Sequence, residues 1–187
     1  VSLSTNNRIG SVAVNLERTA FKIGGVGGDV WNAADACQYV YQTIGDDFDF
    51  TAEIAAMQTL NQYSKAGLMV RESSAADART VALICFPPTA PVVQVRSTAG
   101  GMTTNAASAA RFVWPIKMRL AYHRPTQLLT IYANDEILQT VLLDGWSKTL
   151  EVGLVSSSNH ATIFNDAVFQ KVALTVIPPK GAILILR

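Results

Sequence analysis

Short segments in which apolar and polar side chains alternate limit the fold of this chain more than any other feature. The clearest is KAGLMVRES, residues 65–73. Because successive side chains of a strand point to opposite faces, Leu68 and Val70 share an apolar face while Lys65 and Arg71 share the other. This alternation is typical of an antiparallel sheet with one buried face and one open face. We therefore predict a strand whose cationic face is open to water or to a ligand.

Similar segments recur along the chain, separated by turn signals rich in Gly, Pro, Asn and Asp. They predict strands at 11–16, 19–23, 36–43, 48–57, 80–86, 92–97, 115–123, 127–133, 136–143, 150–156, 167–176 and 182–186. Two intervening stretches are predicted to be irregular. The glycine-rich run at 24–28 is interpreted as a turn that delivers Trp31 to its packing position, and the small polar stretch at 98–110 as a poorly ordered loop.

Short strands without a helical pattern predict an all-β fold, a two-sheet antiparallel jelly-roll sandwich. A chain of 187 residues suits one such domain, which we place at residues 1–176. Residues 177–187 form a C-terminal segment in which an apolar stretch follows Pro178 and Pro179. We expect this segment to be an edge strand or a strand that pairs with another copy of the chain.

Composition limits the partners of the protein. Hydrophobic residues make up 49% and charged residues 16% of the chain, as in a packed globular protein. A net charge of +1 gives no electrostatic footprint for nucleic acid. No apolar run approaches the roughly 20 residues that span a bilayer. Val1 opens the chain without an initiator Met or signal peptide, so we expect a processed or recombinant segment.

Two cysteines are too few for a disulfide framework or a cysteine-rich metal site. Cys37 and Cys85 each lie in an apolar, strand-like context. Free cysteine in such a context is commonly a small buried hydrophobe. A single bridge between them is the alternative if the compartment is oxidising.

Six segments, in this order, carry a resemblance to a known family: 24–54, KAGLMVRES at 65–73, VQVRSTAGG at 93–101, IKMRLAYHR at 116–124, EVGLVSSSNH at 151–160 and AVFQKVALTV at 167–176. They resemble the concanavalin A-like "regulation of enolase" or DUF1349-type family over about residues 10–176. The resemblance implies a jelly roll like that of lectins and glucanases, in a module of a secreted bacterial protein. Two positions depart from the family pattern: Cys37 replaces an aromatic residue, and NDEILQT at 134–140 replaces an Asp-Gly-x-x-Trp hairpin.

The sequence does not predict an enzyme. Retaining glucanases of this fold carry two or three carboxylates on one strand, which places a catalytic pair about 5 Å apart. The five glutamates here are scattered, at Glu17, Glu53, Glu72, Glu136 and Glu151. A Ser-His-Asp site needs a positioned histidine, and the two candidates, His123 and His160, are interpreted as a strand residue and a loop residue.

A glycan site is predicted on the polar strand faces. Sugar recognition needs aromatic faces for the CH groups and planar polar groups for the hydroxyls. The candidate ligand-binding residues are Lys65, Arg71, Arg96, Arg119 and His123 on strands, with Trp31, Trp114 and Asn159 on adjoining loops. The alternative is that Trp31 closes one end of the core and that the arginines pair with Glu72 and its neighbours on a solvated face.

No cofactor is predicted. Asp29, Asp35, Asp46 and Asp47 carry oxygen ligands of the kind that Ca²⁺ prefers, but their spacing matches no calcium-loop motif. A structural Ca²⁺ ion is kept as an alternative.

Two functional hypotheses follow. The first is a non-catalytic carbohydrate-binding or lectin-like module of a secreted or cell-surface protein, with a glycan or polysaccharide as its partner. The second is a structural or adhesive extracellular subunit that forms homo-oligomers through its C-terminal strand, because an exposed strand such as AILIL, residues 182–186, favours pairing with a neighbour.

Overall fold

The computed structural model describes residues 2–3, 10–111 and 114–178. Within them the chain forms fifteen strands and no helix. The strands are β1 (Ser2–Leu3), β2 (Ser11–Val14), β3 (Phe21–Gly27), β4 (Asp29–Trp31), β5 (Ala34–Ile44), β6 (Asp47–Met57), β7 (Lys65–Arg71), β8 (Thr80–Phe86), β9 (Thr89–Arg96), β10 (Thr104–Ser108), β11 (Ile116–His123), β12 (Leu128–Ala133), β13 (Glu136–Leu142), β14 (Leu150–Ser157) and β15 (His160–Ile177).

The strands form two sheets in which every pairing is antiparallel. Sheet A has the order β1-β5-β14-β7-β8-β9-β10, with β4 paired to β5. Sheet B has the order β13-β12-β11-β6-β15-β3-β2. The prediction of an all-β, two-sheet antiparallel sandwich is confirmed.

The main core lies between the two sheets. The alternation in β7 places Leu68 and Val70 there, where they join Phe48, Phe50 and Ile54 of β6. All five side chains are buried. Burial of apolar surface of this kind stabilises the sandwich by roughly 25 cal/mol per Å².

The opposite face of sheet A is covered rather than open. A second, smaller apolar cluster lies on it: Val30, Cys37, Tyr39, Met69, Ala82, Ile84 and Val155. Val30 belongs to β4, and the loop at 72–79 is held nearby by a hydrogen bond of 2.8 Å from the Asp35 amide to the Ala76 carbonyl. All seven residues of β7 are therefore buried. The prediction of an open face on this strand is wrong, because β4 and the loop at 72–79 cover that face and the alternation within β7 does not reveal such a cover.

The glycine-rich run is part of a strand, which corrects its interpretation as a turn. Gly24 to Gly27 lie in β3 of sheet B. A Cβ at Gly25 would lie 2.3 Å from the backbone of Ser156 in β14, a strand of sheet A. A side chain does not fit at that separation. Glycine is therefore required where the two sheets approach each other, and β4, which carries Trp31, follows directly.

The stretch at 98–110 also differs from its prediction as a loop. Residues Thr104–Ser108 form β10, which pairs with β9 at the edge of sheet A. Near the other end of the chain, the predicted strand at 167–176 belongs to a longer strand, β15, whose last residue Ile177 pairs with Asp47. The predicted strand at 182–186 lies outside the described residues.

Both cysteines are free and buried. Cys85 belongs to the main core and Cys37 to the smaller cluster on the other face of sheet A. The prediction of small buried hydrophobes is confirmed, and the alternative of a bridge between them is wrong because the sheet separates the two side chains.

Candidate functional site

A cleft of about 520 Å³ opens on the outer face of sheet A. We call it the Trp31 cleft and define it by its lining residues: Asp29, Trp31, Tyr63, Lys65, Phe86, Gln94, Asn105 and Asn159. Strands β4, β7, β8, β9 and β10 supply six of them, and the loops that follow β6 and β14 supply Tyr63 and Asn159. Three predicted ligand-binding residues, Trp31, Lys65 and Asn159, therefore lie together.

Lys65 forms the floor of the cleft. Its Nζ lies 2.7 Å from the Asp29 Oδ1 atom and donates to the Val30 carbonyl at 3.0 Å. A longer bond of 3.5 Å reaches the Gln94 Oε1 atom. The ammonium also lies 5.2 Å from the centre of the Trp31 ring, a cation–π distance. Burial lowers the pKa of Lys65, and the charge of Asp29 opposes that shift.

Three aromatic side chains line the cleft. Trp31 and Phe86 are half-buried, and Tyr63 at the rim is 52% exposed. The backbone of β4 fixes Trp31 through pairing with Ala34 in β5. These rings provide apolar surface directly beside polar groups.

The amide side chains of the cleft are held by hydrogen bonds. Gln94 donates from Nε2 to the Asn105 Oδ1 atom at 3.1 Å. Asn159 donates from Nδ2 to the Gly28 carbonyl at 2.8 Å. Asn159 has a φ of 53°, a left-handed conformation that Asn tolerates better than most residues. The backbone and the side chain together therefore orient this amide at the cleft.

Arg71 and Arg96 do not line the cleft, because both side chains are 0% exposed. They flank the buried carboxylate of Asp35. Arg96 Nη2 lies 2.5 Å from its Oδ1 atom, and Arg71 binds its Oδ2 atom. Further donors satisfy carbonyls of the 72–79 loop, including Ser73 and Ala78. The prediction that these arginines lie on an accessible face is wrong, since Asp35 and the loop carbonyls compensate them inside the protein.

Arg119 and His123 lie on β11 of sheet B and not beside the cleft. Arg119 Nη2 is 2.5 Å from Asp49 Oδ2, and its guanidinium lies 4.7 Å from the centre of the Tyr132 ring. His123 Nε2 is 3.9 Å from Asp47 Oδ2. The predicted ligand-binding residues that lie on strands are thus divided between the two sheets. Trp114, in the loop before β11, is also absent from the residues that line the cleft.

Acidic residues do not gather as metal ligands in the described ranges. Among residues 10–111 and 114–178, no group of three His, Cys, Asp or Glu side chains could hold an ion. Asp29 and Asp35, two of the alternative Ca²⁺ ligands, pair with Lys65 and with two arginines instead. The same part of the chain contains no helix with the length and apolarity to cross a membrane.

Sequence reasoning missed five residues of the cleft: Asp29 as a binding residue, and Tyr63, Phe86, Gln94 and Asn105. One signal was present, because Gln94 shares a strand face with Arg96. Tyr63 lies in a polar loop and Asn105 in a stretch of small polar residues, where no local pattern marks a site.

Two face-to-face antiparallel sheets define a β-sandwich, and solved structures of the jelly-roll class are similar to this chain. No family model matches the sequence, and comparison with curated proteins gives no match. A functionally unknown protein from Saccharomyces cerevisiae has a TM-score of 0.66 at 13% identity, over 92% of this chain and 95% of that chain.

Two further similar structures have named activities. The carbohydrate-binding module CBM66 from Bacillus subtilis has a TM-score of 0.55 at 17% identity, over 89% of this chain and 91% of that chain. A family 7 alginate lyase in complex with substrate has a TM-score of 0.57 at 10% identity, over 88% and 81% of the two chains. These are concanavalin A-like jelly rolls, so that fold prediction is confirmed. The narrower DUF1349-type resemblance stays a prediction.

The similar structures include both a binding module and an enzyme. A shared fold does not decide between these activities, because function depends on the site that a fold carries. The prediction that this chain is not an enzyme therefore stays a prediction.

Proposed function

We propose that this protein is a non-catalytic carbohydrate-binding domain that takes a glycan in the Trp31 cleft. The observation that carries the proposal is the convergence of three aromatic rings with a carboxylate and three amides around one cleft. Aromatic faces suit the CH surface of a sugar ring, and fixed carboxylates and amides suit its hydroxyls. The similarity to a carbohydrate-binding module supports the same assignment.

The size of the cleft is compatible with this role. Its volume of about 520 Å³ lies within the roughly 300–1,000 Å³ common for small-ligand sites. The polar groups are held by bonds within the protein before any ligand arrives, as shown for Asn159 and Gln94. Preorganisation of this kind lowers the entropic cost of binding.

Affinity electrophoresis through gels that contain soluble polysaccharides tests the proposal. Trp31→Ala is expected to lose about fivefold in affinity for any retained polysaccharide, since loss of one stacking surface is worth about 1 kcal/mol. Trp114→Ala is the matched control, because that tryptophan lies outside the cleft. Equal retention of Trp31→Ala and the unsubstituted protein would contradict the proposal, and so would a failure to bind any polysaccharide.

Self-assembly is a second candidate, supported by apolar side chains on sheet B. Val176 and Ile177 at the end of β15 are 40% and 49% exposed. Val12 and Val14 are also exposed on β2, the edge strand of this sheet. Exposed apolar strands favour pairing with another chain. Light scattering is expected to show an oligomer for the full chain and a monomer for a chain that lacks residues 177–187. A monomeric full chain excludes this candidate.

A secreted or cell-surface location stays a prediction.

A further inference from the structure

Among the described residues, one cation and one carboxylate line the Trp31 cleft, and they are not equally accessible. The Lys65 side chain is 5% exposed, whereas that of Asp29 is 22% exposed. The other lining side chains are aromatic rings and amides. A ligand that enters the cleft therefore meets a carboxylate and neutral groups, while the balancing positive charge lies beneath them.

The bonds of Lys65 explain why its charge is turned inward. An ammonium group has three N–H donors. The Nζ atom of Lys65 has three acceptors in the protein: Asp29 Oδ1 at 2.7 Å, the Val30 carbonyl at 3.0 Å and Gln94 Oε1 at 3.5 Å. These acceptors engage the donors that a ligand carboxylate or sulfate would need.

In the part of the chain that the structure describes, Asp29 is bound through one oxygen. Its Oδ1 atom accepts from Lys65 Nζ and from the backbone amide of Val30 at 2.7 Å. A carboxylate has two oxygens and about four acceptor sites. With Oδ1 held by two donors, Oδ2 is the oxygen suited to accept from a ligand hydroxyl.

We propose that the Trp31 cleft selects uncharged glycans over glycans that carry carboxylate or sulfate groups. Asp29 Oδ2 accepts hydrogen bonds from sugar hydroxyls, and Lys65 is a positioning residue that holds Asp29 in place. This inference rests on the proposed glycan-binding function. The Asp29 carboxylate would repel anionic sugars and attract sugar hydroxyls. Discrimination between ligands often needs both effects.

The test compares two arms of affinity electrophoresis with the full chain. The neutral arm uses laminarin, xyloglucan and galactomannan, and the acidic arm uses alginate and polygalacturonate. We expect retention in the neutral arm and at least about tenfold weaker binding in the acidic arm at low salt, where electrostatic repulsion is least screened. This comparison needs no variant, so a folding defect cannot obscure it.

Two variants then test the roles of the pair. Asp29→Asn leaves the cation in the cleft, so the ratio of neutral to acidic affinity should fall several-fold. Lys65→Met leaves the carboxylate unpaired, so the same ratio should rise while neutral affinity falls about tenfold. If Asp29 and Lys65 were only structural, both variants would bind more weakly. The ratio of neutral to acidic affinity would then not move in different directions in the two variants. Thermal unfolding of both variants checks that they fold.

The outcomes separate the two proposals. Tight, Trp31-dependent binding of alginate or polygalacturonate would overturn the selectivity while the glycan-binding function stands. A change of selectivity in the same direction in both variants would overturn the positioning role of Lys65. Binding in neither arm would overturn both proposals.

Discussion

Arg96 donates a hydrogen bond of 3.3 Å from its Nη2 atom to the backbone carbonyl of Trp31. The same nitrogen lies 2.5 Å from the Oδ1 atom of Asp35, and Nε donates to the carbonyl of Asn32 at 3.3 Å. The buried charge cluster therefore holds the strand that presents the main aromatic ring of the cleft. Arg96, predicted to contact a ligand, instead supports the residue that does so in our proposal.

Arg96→Met tests this support. Removal of one partner from a buried ion pair is expected to lower the free energy of unfolding by about 3–5 kcal/mol, because Asp35 and several carbonyls lose their donor. Arg119→Met is the matched control, since that arginine pairs with Asp49 at a half-exposed position where such a pair contributes about 1 kcal/mol or less. Urea unfolding measures both. Similar losses in the two variants would contradict the buried role of Arg96.

Gly25→Ala tests the close approach of the two sheets. An added Cβ would meet the backbone of Ser156 at 2.3 Å, and backbone atoms cannot move aside as a flexible side chain can. We expect a loss of about 1–3 kcal/mol or more from overpacking. Gly45→Ala is the control, because its added Cβ would meet its nearest neighbour, Thr149 Cγ2, at 3.7 Å. In thermal unfolding, only Gly25→Ala should show a markedly lower midpoint. Equal midpoints for the two variants would disprove the close approach of Gly25 to Ser156.

The protein is expected to lose stability at alkaline pH, because its two cysteines are buried. Burial raises the pKa of Cys37 and Cys85 from 9.0 to about 12, and burial also raises the pKa of Tyr39. The folded protein therefore keeps protons that the unfolded chain releases. This stability is present below pH 9.0 and is lost between pH 9.0 and about 12. Lys65 has the opposite sign, because its lowered pKa makes stability rise with pH, but it is one group against at least four, since burial also raises the pKa of Tyr122.

Urea unfolding between pH 7 and pH 11, under reducing conditions, measures this effect. Each fully shifted group contributes a slope of up to about 1.4 kcal/mol per pH unit. Cys85→Ala should lower stability at pH 7 because it leaves a small cavity. It should also reduce the slope of the free energy of unfolding against alkaline pH by up to the contribution of one group. An unchanged slope in this variant would show that Cys85 does not titrate on unfolding.

The sequence could predict the sheets because alternation is a local property. Leu68 and Val70 face the core as their spacing indicates, since side chains on one strand alternate whatever surrounds them. The covering of the other face was not predictable from that pattern. Asp35 lies 36 positions before Arg71, and the contact between them depends on how β5 and β7 are placed in sheet A, with β14 between them.

The site was only partly predictable for the same reason. Residue type identified Trp31, Lys65 and Asn159, which the fold brings to one cleft. Strand faces did not reveal that Arg119 belongs to the other sheet, because a two-sheet sandwich has two polar outer faces. β10 was missed because Ala, Asn and Ser have weak strand propensity, which pairing with β9 overrides.

Tyr63 at the rim distinguishes stacking from hydrogen bonding in the proposed function. Its side chain is 52% exposed, so Tyr63→Ala should leave the unfolding midpoint nearly unchanged. If the ring stacks on a sugar, Tyr63→Ala should weaken polysaccharide retention about two- to tenfold, while Tyr63→Phe, which keeps the ring, should bind nearly as well as the unsubstituted protein. Affinity electrophoresis measures both variants. Equal losses in Tyr63→Phe and Tyr63→Ala would assign the contribution to the hydroxyl, and no loss in either would place Tyr63 outside the bound glycan.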